Sequence, residues 1–182
     1  MEQRFGWRWG ILRRWGWRFF RRRWKWGGAA ALAEVGKIMK AQEFLKQLQH
    51  DDIVAAIRQA ERKTSGEIRV LISHKKPTEP IAAAEAEFVR LGMTKTKEKH
   101  GVLIFVAPRS RNFAIIGDQG VHSRCGDAFW REVTDEMTVH FRKAEFTQAI
   151  LHGIRKAGEL LAQHFPRRPD DRNELPDDVA RD

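Results

Sequence analysis

Between residues 115 and 127 the chain reads IIGDQGVHSRCGD. Two carboxylates, Asp118 and Asp127, bracket Gln119, His122 and Arg124, and glycines at 117, 120 and 126 allow the backbone to turn sharply. Carboxylate and amide oxygens converging on a loop are the ligands that a hard cation such as calcium or magnesium takes. The segment follows an apolar strand-like stretch and precedes a helical one. It therefore lies at a strand's carboxyl end, where open α/β sheets place ligands. A plainer reading of the same residues is a tight turn in which Asp127 or Gly126 caps the next helix. Glu67, directly after Ser65 and Gly66 at the mouth of another strand, joins this region if the topology brings the two ends together. Otherwise it is an exposed strand-start acid.

Other chemistries find no support. Neither GxxxxGK[ST] nor GxGxxG occurs, so no glycine-rich turn cradles a phosphate, and GxSxG is absent. Glu136 and His140 are spaced i, i+4, but no second histidine is in register for zinc, and a solvated helix face accounts for the pair. The single cysteine, Cys125, rules out an intramolecular disulfide and reads as a semi-buried thiol.

The elements that must position these residues follow from periodicity. Residues 39–49 place Phe44, Leu45 and Leu48 on one helical face. Asp51 and Asp52 read as the cap of a second helix, in which Ile53, Ala56, Ile57 and Ala60 recur at helical spacing. EIRVLIS from residue 67 is a strand with Ile68, Val70 and Ile72 on one side and Leu71 on the other. IAAAEAEFVRLGM is a helix, and GVLIFVA (101–107) is a continuous apolar run of the kind buried on both faces. FAIIG (113–117) returns from a proline turn as a hairpin partner. The first two strands, joined through a helix, are then parallel. Two helices follow, one with Phe129, Val133, Met137 and Phe141 in a stripe, the other with Ile150, Ile154, Leu160 and Leu161. The expected fold is α/β: a small mixed sheet of strand, crossover helix, strand and hairpin strand between helices, three layers in all. Residues 166–182, rich in proline and acids, read as a disordered tail.

Charge sharpens the division. Residues 1–26 hold nine of the 34 lysines and arginines, one of the 24 acids and six of the seven tryptophans. The remaining 25 basic and 23 acidic side chains nearly cancel, which speaks against a nucleic-acid interface on the folded domain. Residues 1–38 are expected to be a disordered tail that touches a membrane surface or stacks on single-stranded bases. Met39 is equally a candidate start that would leave them untranslated. No apolar run approaches the roughly 20 residues of a membrane span, and arginines interrupt any signal-peptide core. The cytoplasm is the expected location.

SGEIRVLIS, then KEKHGVLIFVAPRSRNFAIIGDQG, then an acidic segment and FTQAILHGIRKAGELLAQHF together resemble the TPM domain family. This family includes a thylakoid lumen protein linked to photosystem II repair and many bacterial proteins. The resemblance covers residues 39–165 and implies a phosphatase with a metal in an acidic pocket. It carries over to Glu67, the strand glutamate, and to Asp127, the acid opening the next helix. With Asp118 they form the expected set for calcium or magnesium, with Gln119, His122 and Arg124 beside it. The family's usual Gly-Leu-Glu after the hairpin is replaced here by GDQGVHSRCGDAFW. The competing expectation is a non-catalytic module that binds a protein partner or serves protein quality control.

Overall fold

The computed structural model describes residues 30–34, 39–96, 99–171 and 173–182. The tryptophan- and arginine-rich residues 1–26 lie outside them, and so does the expectation of a membrane-surface or nucleic-acid arm.

Five strands form one sheet: β1 (Ala30–Glu34), β2 (Glu67–Ile72), β3 (Gly101–Ala107), β4 (Asn112–Gly117) and β5 (Val179–Arg181), in the spatial order β1-β4-β3-β2-β5. Five α-helices accompany them: α1 (Ala41–Lys46), α2 (His50–Glu61), α3 (Pro80–Arg90), α4 (Gln119–Arg142) and α5 (Phe146–His164). β2 and β3, joined through α3, are parallel from Glu67↔Gly101 to Ile72↔Val106, and β4 returns antiparallel to β3. Among the described residues no helix is long and apolar enough to cross a membrane.

Strand alternation sorts the core into two layers. Ile68, Val70, Ile72, Val102, Ile104 and Val106 face α1, α2, α4 and α5, where they meet Phe44, Ile57, Trp130, Met137, Phe141 and Ile154. Leu71, Leu103 and Phe105 face α3, against Ile81, Ala84, Phe88 and Met93. This is the expected three-layer α/β/α arrangement. β3 is buried on both faces because helices cover both, which its unbroken apolar run requires. Fully burying an aliphatic side chain such as Ile57 contributes about 1.5–3 kcal/mol, so these two layers hold the sheet rigid. Gly158 sets the spacing on one side. A Cβ there would lie 2.7 Å from the Ala60 Cβ, so α5 presses directly on the end of α2.

Four local expectations are corrected. Residues 30–34, expected to belong to the disordered tail, are a strand paired antiparallel with β4. Alanine's helix preference is worth only tenths of a kcal/mol, and the open edge of β4 offers a row of backbone partners that outweighs it. Residues 118–126 are not a loop: α4 starts at Gln119 and continues through a kink at Gly126, whose φ of 68° and ψ of −178° is cheap only for glycine. On α4, Trp130 rather than Phe129 takes the buried position, with Phe129 edge-on to it at 5.1 Å.

The fourth correction is the largest. The disordered tail expected at 166–182 is ordered where it is described: it bridges Thr64 through Pro166 and ends in β5, parallel to β2. Val179 is the buried anchor, and Asp182 accepts hydrogen bonds from the Ser73 hydroxyl at 2.6 Å and from the His74 amide at 2.7 Å. Little apolar surface was needed, because the open edge of β2 supplied backbone partners that composition does not reveal.

Candidate functional site: an acidic cleft at the sheet edge

β5 is too short to cover the whole edge of β2. Its pairing begins at Val70, which leaves the amide of Ile68 without a strand partner. The carboxyl of Glu61, the last residue of α2, fills that place: its Oε1 accepts from the Ile68 amide at 2.8 Å. One residue earlier, Glu67 opens β2, and its Oε1 accepts from the amide of Glu174 at 2.8 Å. Both glutamates are almost completely buried, with 8% and 4% of their surface exposed, and Oε2 of each has no hydrogen-bond partner. An unpartnered buried acceptor is costly.

Between them opens a cleft of about 270 Å³, lined also by Arg58, Arg62, Ser65, Gly66, Arg167, Asp171, Asn173 and Asp177. Burial pushes the Glu61 carboxyl up to about 9, and the facing carboxyl of Asp177 adds to the effect, so it is protonated at neutral pH. Its place at the C-terminal, negative end of α2 works in the same direction. Burial raises Glu67 as well. Arg69, next along the same face of β2, is buried beside these acids and supplies a fixed positive charge. Asp177 is drawn toward Arg58, 3.4 Å away at the surface.

The residues singled out by sequence separate. Glu67 belongs to the cleft and is buried, not an exposed strand-start acid. Asp118 lies at the same end of the sheet, since its amide donates to the Gly101 carbonyl at 2.9 Å and Gly101 is the register partner of Glu67. That end is the amino end of β2 and β3, because β4 runs antiparallel, so the carboxyl-end argument for ligand placement does not apply. Asp118 serves as the N-cap of α4, its Oδ1 accepting from the Gln119 amide at 2.7 Å, and desolvation raises its carboxyl. Asp127 is half exposed and lies past the Gly126 kink, 3.8 Å from His122 Nδ1. Gln119 is the first residue of the helix. Arg124 lies over the Phe165 ring at 5.2 Å and donates to the His164 carbonyl. Among the described residues no three His, Cys, Asp or Glu side chains are arranged to hold a metal ion, so Glu67, Asp118 and Asp127 do not assemble as a set. Burial pushes the Cys125 thiol up to about 11, so it is protonated and inert near neutrality.

A larger hollow of about 700 Å³ between α2 and α5 is chemically quieter. Arg155 donates to His152 Nδ1 at 2.9 Å, so Nε2 carries the proton and donates to Glu136 at 2.6 Å. His140 pairs with Glu145 at 2.7 Å instead of with Glu136. The i, i+4 pair on α4 thus resolves into cross-helix surface pairs.

Glu61 and Asp177 were missed in the sequence. Glu61 carried a signal: Ile53, Ile57 and Glu61 follow each other at i, i+4, which puts a carboxylate on the apolar stripe. Asp177 carried none, being one acid in a polar segment.

The class defined by this fold is a three-layer α/β/α domain with paired buried acids at the edge of a mixed sheet. The TPM domain family model matches residues 38–160, and the chain belongs to that family. No curated protein matches it. Among solved structures it is similar to the NMR structure of BA42 from the psychrophilic bacterium Bizionia argentinensis. The two are 36% identical, with a TM-score of 0.68, covering 82% of this chain and 99% of that one.

Proposed function

We propose that this domain hydrolyses phosphomonoesters at the cleft, with a divalent cation, calcium or magnesium, drawn to the buried carboxylates of Glu61 and Glu67. The observation that carries the reading is the pair of orphaned, buried carboxylate oxygens, Glu61 Oε2 and Glu67 Oε2, in a cleft rimmed by arginines. The family model's name, TPM phosphatase, supports the same reaction class.

The two buried carboxylates are donors of the kind a hard cation takes, but among the described residues no three acids are arranged to enclose one, and arginines share the lining. When bound, such an ion supplies Lewis-acid polarisation of a phosphoryl oxygen and a more acidic water. The chain's own residues do the rest. Arg62 and Arg167 stand on the rim, where guanidinium groups bind the phosphoryl oxygens. Glu61 must release its proton before it can act as a ligand, which couples binding to pH. The Thr64 hydroxyl is committed to the Phe165 carbonyl at 2.5 Å. Water is the nucleophile of this proposal.

The test is turnover of an aryl phosphate with calcium, magnesium or manganese by wild type, Glu67→Gln and Asp127→Ala. Loss of roughly tenfold or more in Glu67→Gln, with Asp127→Ala unchanged, is expected. No turnover with any of the three cations overturns the hydrolytic reading. If calorimetry still shows cation binding, the domain is a non-catalytic cation-dependent module.

A further inference from the structure

Arg58, Arg62 and Arg167 line the cleft, delivered by two segments. Arg58 and Arg62 are one turn apart at the end of α2. Arg167 follows α5, its amide donating to the Lys63 carbonyl and its Nη1 to the Glu61 carbonyl, each at 3.3 Å. Their charge suits the negative end of α2. A carboxylate from a distant segment is placed among them. Asp177 lies beyond residue 160, where the family match ends, and it faces both Arg58, at 3.4 Å, and the Glu61 carboxyl. The backbone is held on either side of Asp177: the Glu174 amide donates to Glu67 at 2.8 Å, and β5 begins at buried Val179. The Asp177 side chain is held more lightly, by an ion pair to a guanidinium that is 60% exposed.

We infer that Asp177 is a built-in competitor: its carboxylate stands where a phosphoryl group binds Arg58, Arg62 and Arg167, and so lowers the cleft's affinity for phosphate. The inference rests on the proposed phosphomonoester site. It adds Arg58 to the phosphoryl-binding groups and gives the C-terminal segment a regulatory role. A guanidinium takes a carboxylate or a phosphoryl group through the same paired hydrogen bonds, so one can stand in for the other. The contact needs no cation. Burial keeps the Glu61 carboxyl protonated near neutrality, so it does not repel an anion bound above it. With the backbone fixed at Glu174 and Val179, admitting the phosphoryl group requires the Asp177 side chain alone to turn toward solvent. The competition is therefore local, and the fold around it stays as it is.

The experiment is calorimetric titration of the full-length chain with inorganic phosphate near neutral pH, with a chelator present to remove divalent cations. Asp177→Asn should bind phosphate roughly fivefold more tightly than wild type, the factor for about 1 kcal/mol of lost ion pairing. Asp177→Glu should return the affinity toward wild type, and Arg58→Gln should weaken it. Asp178→Asn makes the same charge change outside the cleft, where Asp178 meets His50 at 3.1 Å, and should leave phosphate binding unchanged. Equal gains in Asp177→Asn and Asp178→Asn overturn the competitor, because net charge then explains both. Equal or weaker binding in Asp177→Asn than in wild type overturns it too, and leaves the phosphoryl site standing. No phosphate binding by wild type or Asp177→Asn overturns the competitor and the phosphoryl site together. The expected gain without turnover of any aryl phosphate supports the competitor and removes the hydrolytic reading alone.

Discussion

Asp118 and Glu61 are both buried acids next to the end of a helix, and both give one carboxylate oxygen to a backbone amide. They differ in which end. Asp118 stands at the N-terminus of α4, where the helix dipole favours negative charge and the first amides need an acceptor. Its surroundings explain it fully as a cap. Glu61 stands at the C-terminus of α2, where the dipole opposes its charge, and it faces a second buried glutamate and a third acid from a distant segment. One acid bound to an amide is part of the scaffold. Several acids from different elements, with oxygens left over, make a site.

Substitutions can break that contrast, and the largest effect should come from the contact that positions Glu61. Gly158→Leu drives a side chain into Ala60 and should cost about 2–3 kcal/mol in urea unfolding, moving α2 and with it the cleft. If stability is unchanged, α2 is not held by this contact.

Glu61→Gln comes next. In the folded chain Glu61 binds its proton up to about pH 9, against an ordinary value of 4.5 for the carboxyl. The folded state therefore holds more protons than the unfolded one across that window. Its contribution to stability is complete below pH 4.5 and is lost progressively as pH rises toward 9. The glutamine variant should gain about 1–2 kcal/mol over wild type at pH 8 and nothing at pH 4. Parallel stability curves for the two proteins between pH 5 and 9 would show that Glu61 is not protonated in the fold.

Asp118→Ala removes a helix cap and should cost about 1 kcal/mol by chemical denaturation, with cation binding and turnover untouched. A loss of cation affinity would move the site to the start of α4. The smallest effect belongs to Asp127→Ala. With 50% of its side chain exposed and only a 3.8 Å approach to His122, it should change stability by less than about 0.5 kcal/mol. Calorimetric cation affinity that drops in this variant would restore Asp127 to the ligand set.

Much of this was legible in the sequence, for physical reasons that differ by element. β3 announced itself because a strand covered on both faces has no polar positions to spare. The apolar side of β2 and the helical stripes of α2 and α5 were visible as periods of two and 3.6. Glu67 was picked out as a strand-start acid, although its burial was not. Residues 118–126 misled because glycine is as compatible with a loop as with a kinked helix, and no nearby residue distinguishes them. The cleft was hidden because its acids lie on α2, on β2 and in residues 171–177, segments far apart in the chain.

The sequence by itself determined the layer order, the parallel β2–β3 pair and the family, since each depends on local patterns of apolar side chains that admit few packings. Tertiary structure alone decided which acids meet. A carboxylate's role is set by what buries it, which helix end it occupies and which strand edge is left open. Those conditions exist only once β5, a segment with almost no core of its own, has paired along β2 and stopped two residues short of Ile68.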